Sequence, residues 1–339
     1  MHPRTLLLCS SLVPLVLQAQ SGTTEPVGIV TIQAPAHTDT ALPISMTRPA
    51  VFDGTVGTLS GSVLSVADAP NWKTNQFTVQ AHYVRFKTGK AAGRYYTVTA
   101  SEGNRLTIDW NGEQSAASAG DEFLVIPFWT LATLLPPEQA GRSFIETRPR
   151  SLGTVVYARD ANQSSAMPAT FVFSGGAWRG FGQTDGPDLG ATTFPPDATL
   201  MLRNGQVGTA VMAGGTVRTT PASVVINAQG GTARLDNEIS LGVPASVSLA
   251  KSNLVGSGAF ESSPSDDARR DELRVFNGSQ RVATYYYSRG AWRKVGAAPE
   301  ENFDQTRVFV EGTRVVLSKA GTGAKPKTVY WNQPRLVQD

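Results

Sequence analysis

Two tryptophan–arginine pairs stand out among the residues that could do chemistry. Trp178-Arg179 and Trp292-Arg293 sit in two fourteen-residue segments, ATFVFSGGAWRGFG (Ala169 to Gly182) and ATYYYSRGAWRKVG (Ala283 to Gly296). The segments align without gaps and are identical at eight positions. An exposed indole can stack its flat apolar face on the C–H bonds of a sugar ring, and an adjacent arginine can pair with a glycan carboxylate or sulfate. Tyr285 and Tyr287 would widen that platform in the second copy. The competing use of the same residues is packing. A tryptophan just after a hairpin turn buries on the order of 150–250 Å² in its own core, and strand alternation then sends the next residue out to solvent. Packing is the favoured reading for the tryptophans and solvation for the arginines. Trp178, Arg179, Trp292 and Arg293 are therefore carried forward as the candidate ligand-binding residues.

Catalysis has less to work with. The chain carries no G-x-S-x-G elbow, no H-E-x-x-H and no phosphate loop. A Ser-His-Asp arrangement would have to use His37, in the loop-like APAHTDT, or His82, in the middle of a strand. Glycoside hydrolysis needs two carboxyl groups at a set distance in space, which chain order does not reveal among 27 acids. His37 and His82 are too far apart, and in contexts too different, for zinc. Asp109, Asn111 and Glu113 alternate like half of a calcium loop but lack its glycine and closing carboxylate, and read as a turn. The expectation is a non-enzyme with no catalytic residues, no cofactor and no metal site.

The elements that must position these residues are strands. Period-two alternation dominates and helical periodicity is nearly absent. Strands are expected at 28–32, 61–66, 81–87, 94–100, 105–110 and 122–126, a spacing typical of a barrel or sandwich. Residues 127–137 (PFWTLATLLPP) interrupt the pattern. They read as a junction with a helical turn at 131–135 that packs Phe128 and Trp129 on the first barrel. Beyond it, a unit of strand, strand, tight turn, Trp-bearing strand, loop and strand occurs twice: residues 199–202 correspond to 314–317, and 154–157 precede one hairpin as 273–276 precede the other. A short helix is expected at 248–254.

The ends and the charge bound the rest. His2 to Arg4 give a basic start, Thr5 to Leu17 an apolar run of thirteen, and Leu17-Gln18-Ala19 a cleavage site. The run is too short to span a bilayer. Cleavage there would also remove Cys9, the one cysteine of the chain, and with it any disulfide or thiol chemistry. The net charge of +3 is dispersed, without the one-signed basic stripe of a nucleic-acid binder.

One resemblance adds to this reading. Arg48 to Phe52, Gly89 to Tyr96, Ala119 to Phe123, Pro127 to Leu134, Thr284 to Tyr287 and Ala291 to Arg293 together resemble a family of uncharacterised exported proteins abundant in Verrucomicrobia-type bacteria. The resemblance covers nearly the whole chain after the export signal and implies secretion and a β-rich fold. It carries no activity and no site residue. Phe171-Val172-Phe173, where the second copy has three tyrosines, departs from the pattern and speaks against a tyrosine-based site in the first copy.

The expected organisation is all-β: a signal peptide at 1–19, an N-terminal β barrel or sandwich at 20–136, and two related β modules at 137–220 and 221–339. The expected role is structural or adhesive, in the periplasm or at the cell surface, with self-association or envelope components as partners. A glycan-binding module using the repeat tryptophans, with polysaccharide as partner, is the alternative; an unrecognised hydrolase is the third reading.

Overall fold

The computed structural model describes residues 25–67, 70–110, 116–136, 147, 153–158, 168–323 and 325–334. Residues 1–19, read above as an export signal and including Cys9, lie outside them, as do Asn111 and Glu113. Two strands come first, β1 (Val27–Ala34) and β2 (Asp39–Pro43). The next six are β3 (Phe52–Ser60), β4 (Val63–Val66), β5 (His82–Phe86), β6 (Tyr95–Glu102), β7 (Arg105–Ile108) and β8 (Glu122–Pro127). They close into an antiparallel barrel in the order β3-β4-β7-β6-β5-β8. Its interior is filled by side chains, with Phe86 stacked on Trp110 (5.7 Å between ring centres) and Tyr96 tilted against the same indole (4.8 Å). Strand β5 is buried on both faces. Val84 and Phe86 point into the barrel, and Tyr83 joins Leu124, Ile126 and Phe128 in a second apolar cluster on its outer wall.

The junction follows as β9 (Trp129–Thr130) and α1 (Leu131–Leu134), the latter opened by a reciprocal cap between Thr130 and Thr133. Phe128 packs on the barrel as expected (4.8 Å to Tyr83). Trp129 instead packs on the first module and donates its indole N–H to Met46 O (2.9 Å). After the junction come β10 (Val155–Ala158), β11 (Ala169–Ser174), β12 (Ala177–Gly180), β13 (Thr193–Phe194), β14 (Thr199–Arg203) and β15 (Thr209–Thr216). The last seven strands are β16 (Ala222–Ala228), β17 (Leu235–Ile239), β18 (Glu272–Asn277), β19 (Gln280–Ser288), β20 (Ala291–Lys294), β21 (Thr313–Lys319) and β22 (Lys327–Gln333). In place of the expected helix at 248–254 there is one 3-10 turn, Ala250–Ser252.

Sheet order brings the second half of the chain into register with the first. One five-stranded sheet runs β12-β11-β10-β14-β2 and the other β20-β19-β18-β21-β17. A two-stranded ribbon accompanies each, β1-β15 and β16-β22. The registers agree residue by residue. Val156 lies between Phe171 and Leu202 as Leu273 lies between Tyr285 and Leu317. Leu42 faces Leu200 as Ile239 faces Val315. Both hairpins turn on two residues with positive φ, Gly175-Gly176 and Arg289-Gly290, a geometry that matches the strand twist. Seven strands thus recur in the same arrangement. The first set is interrupted between β2 and β10 by the barrel, at the point where the second has the segment 240–271. Strands β1 and β2 fall within the stretch read from sequence as the N-terminal unit, yet they pair with β15 and β14, more than 150 residues on. Pairing across an insertion of that size leaves no local mark on the chain.

Candidate functional site

The hairpin residues singled out above sit at one edge of each five-stranded sheet. Trp178 is 0 % exposed and Trp292 2 % exposed. Trp178 packs edge-on against Phe173 (5.5 Å) and donates its indole N–H to Leu135 O (3.0 Å). Trp292 lies between Phe260 (4.7 Å) and Tyr287 (5.7 Å). Neither indole presents a face on which a sugar could stack. Each following arginine points away from the core and holds down the loop that covers its own strand. Arg179 bonds Gly186 O, and Arg293 bonds Glu301 O (2.9 Å). The same loops donate to the tryptophan carbonyls, Leu189 N–H to Trp178 O (2.7 Å) and Phe303 N–H to Trp292 O (2.9 Å). These four residues close a sheet edge in each module.

A second constellation lies further in along the same cross-strand rows, two and three strands from the tryptophan edge. Asp271, just before β18, and Lys319, at the end of β21, form a buried ion pair. Asp271 also takes N–H bonds from Glu261 (2.6 Å) and Ala320 (2.9 Å), and Lys319 donates to Ala259 O (3.0 Å). The corresponding positions of the first module hold Thr154 and Asn204, also buried, with the hydroxyl donating to Asn204 Oδ1 (2.7 Å). Asn204 then donates to Ala34 O (2.8 Å) and Thr209 Oγ1 (2.9 Å), tying the sheet to the ribbon. One site in the fold is filled by a charged pair in one module and a neutral pair in the other, and in each the pair ties neighbouring segments of the sheet together.

The densest group of perturbed ionisable side chains lies where barrel and modules meet. Tyr83 and Arg85 project from the outer wall of β5 and are buried. Tyr95 donates its hydroxyl to Asp197 (3.0 Å). Arg218, between the modules, donates to Gln333 Oε1 (2.9 Å), whose amide in turn donates to Ser240 O (2.7 Å). Burial pushes the Tyr83 hydroxyl up to about 12. Burial, reinforced by the like charge of Arg85, pushes Arg218 down to about 9, and burial raises the Asp197 carboxyl. Such clusters often mark active sites, although structural networks perturb pKa values as well. Here Tyr95 and Asp197 tie the barrel to the first module, and Arg218 reaches Gln333 of the second, so these bonds hold a three-way junction.

Two hollows lie along the seam between the modules. One of about 290 Å³ is mostly apolar, lined by Val30, Ile32 and Pro43 on one side and Leu241, Val243 and Phe309 on the other. The other, about 410 Å³, is more polar and includes Asp39, Phe276, Tyr285 and Arg307. Between them Ala41 bonds Gly312 O across the seam (3.4 Å). His82 is buried, with Nδ1 held by Gln80 O (2.6 Å) and Phe77 O (3.1 Å). Two carbonyl partners make that nitrogen the donor. Burial lowers the pKa of the ring. His37 occupies a turn with φ 56°. Among the described residues no three or more His, Cys, Asp or Glu side chains gather to hold a metal ion, and no helix is long and apolar enough to cross a membrane.

The fold and its junctions thus define an all-β protein of two seven-stranded modules, the first carrying a six-stranded barrel between its second and third strands. The chain matches no family model, no curated protein and no solved structure. Residue alternation marks β1 as a strand but not its kinship with β16, although a signal was present. Val30-Thr31-Ile32-Gln33-Ala34 returns as Val224-Val225-Ile226-Asn227-Ala228, with the three inward residues identical.

Proposed function

We propose that the protein is an exported, non-enzymatic structural or adhesive component of the cell envelope or surface, built from two copies of one β module. The observation that carries this reading is where the polar and apolar chemistry sits. Ionisable groups that are buried serve as fasteners between strands or bodies. The β1-β15 ribbon leaves apolar side chains in solvent, with Val27 78 %, Ile29 75 % and Met212 50 % exposed. An apolar surface on an uncharged ribbon suits contact with other protein better than turnover of a small substrate. The basic start and apolar run of residues 2–17 support export, as does the resemblance to exported Verrucomicrobia-type proteins. A glycan platform on Trp178 and Trp292 is not taken up as a second reading, because both rings are enclosed.

The test is recovery of the protein from its exporting host, followed by sedimentation at rising concentration and by co-sedimentation with isolated envelope fractions. Self-association or envelope binding is the expected result. A chain that remains monomeric and binds neither cells nor envelope ends the proposal.

A further inference from the structure

We infer that self-association runs through β1, whose open edge pairs antiparallel with β1 of a second copy; the inference rests on the structural reading above and names its contact surface. Val217 donates its N–H to Pro26 O (2.7 Å). In an antiparallel ladder this makes Pro26 and, at steps of two, Gly28, Val30, Ile32 and Ala34 the residues that exchange bonds with β15. The N–H and C=O groups of Val27, Ile29, Thr31 and Gln33 therefore point to the opposite edge. Among the described residues none of these groups has a partner.

The equivalent strand of the second module has its edge closed. On β16 the edge-facing residues are Ser223, Val225 and Asn227. Ser223 donates to Gly93 O of the barrel (3.1 Å), and Asn227 exchanges two bonds with the side-chain amide of Asn237 (2.7 and 2.9 Å). In the first module Ile29 and Gln33 stand where Ser223 and Asn227 do, and Thr40 replaces Asn237. Strands β12 and β20 are closed by their loops, and β2 by Gly312.

The chemistry of β1 selects its occupant. Natural proteins blunt free edges with charge or proline, and VGIVTIQA has neither. A two-fold axis sets a strand against its own sequence reversed, so any charge on it would meet a like charge close by. Centred on Val30, the pairing puts Ile29 opposite Thr31 of the second copy and Val27 opposite its Gln33, and the two ribbons become one four-stranded sheet. The outer edge of β15 is also open at Ala210, Met212 and Gly214 among the described residues, but its glycine pair weakens it as a template. A β1-to-β15 contact would be heterologous and would build a ring or a filament instead of a dimer.

The experiment is sedimentation velocity of the full chain recovered from an exporting host, from about 1 μM to about 1 mM. The wild type is expected to pass from monomer to dimer. Thr31→Pro removes a donor that β15 does not use, and Ile29→Lys sets like charges across the edge. Each is expected to weaken dimerisation about tenfold or more with the melting temperature unchanged. Val79→Lys, on an exposed residue before β5, is expected to leave dimerisation as it is. Ile29→Lys keeps the test decisive if Thr31→Pro does not fold. A wild type that dimerises equally well with Ile29→Lys, or that forms open-ended polymers, overturns the β1 pairing while self-association stands. A monomeric wild type that binds envelope overturns the pairing alone, and one that binds nothing overturns both.

Discussion

At the scale of single residues, the same place in two modules is filled by different chemistry, and that difference is testable. Asp271 and Lys319 are buried together, each with further hydrogen bonds to the backbone. Removing one partner strands the other charge in a medium that cannot solvate it, so Lys319→Met is expected to cost about 3–5 kcal/mol in urea unfolding. The double change Asp271→Thr, Lys319→Asn installs the pair found in the first module and is expected to recover most of that loss. His82 gives a pH dependence of definite sign. Its ring is neutral when buried and its pKa is lowered below the usual 6.5, so as pH falls through 6.5 the unfolded chain takes up a proton before the folded one. Stability is full above that value and declines toward the lowered folded value, with a slope of at most about 1.4 kcal/mol per pH unit. Urea unfolding between pH 7.5 and 5 should show the slope in the wild type and its loss in His82→Asn, which keeps a donor but does not titrate. The buried tryptophans were legible as packing residues because a large ring after a turn has few other uses. The fastening role of Arg179 and Arg293 was not, because their partners are loop carbonyls that no sequence pattern marks.

At the scale of elements, the strands read from alternation are those rich in β-branched and aromatic residues: β1, β5, β6, β7 and β8 lie where the pattern put them. The strands missed are of another kind. Strand β2 (DTALP) and strand β3 (FDGTVGTLS) are short of bulky side chains, and their register comes from partners distant in the chain. The docking of barrel on second module is likewise invisible locally. It turns on Gly93, whose φ is +84° and whose missing Cβ would lie 2.7 Å from the Ala222 backbone, and on Arg94, which sits over the Tyr330 ring at 3.8 Å. Gly93→Ala forces a left-handed conformation on a residue with a Cβ, at about 1–2 kcal/mol before any clash. Its expected outcome is a lower melting temperature and faster limited proteolysis between barrel and second module, with the barrel itself still folded.

For the whole molecule, the division of the chain can be tested with fragments. The stretch 221–339 contains all seven strands of the second module and is expected to fold alone, with a cooperative melt by circular dichroism. The stretch 137–220 lacks β1 and β2 and is expected to remain unfolded, although in sequence it looks like the sister unit. Adding residues 25–136 should restore it. The amino-acid sequence by itself determined the all-β class, the barrel-forming run and the kinship of the two hairpins, because side-chain alternation and a repeated turn are local properties of the chain. Only the tertiary structure decided that the first module is split by the barrel, that Arg179 and Arg293 fasten the covering loops, and that among the described residues β1 keeps an open edge where β16 does not. Those outcomes depend on which strands meet across more than a hundred residues, and backbone hydrogen bonds, which hold them together, are the same for every sequence.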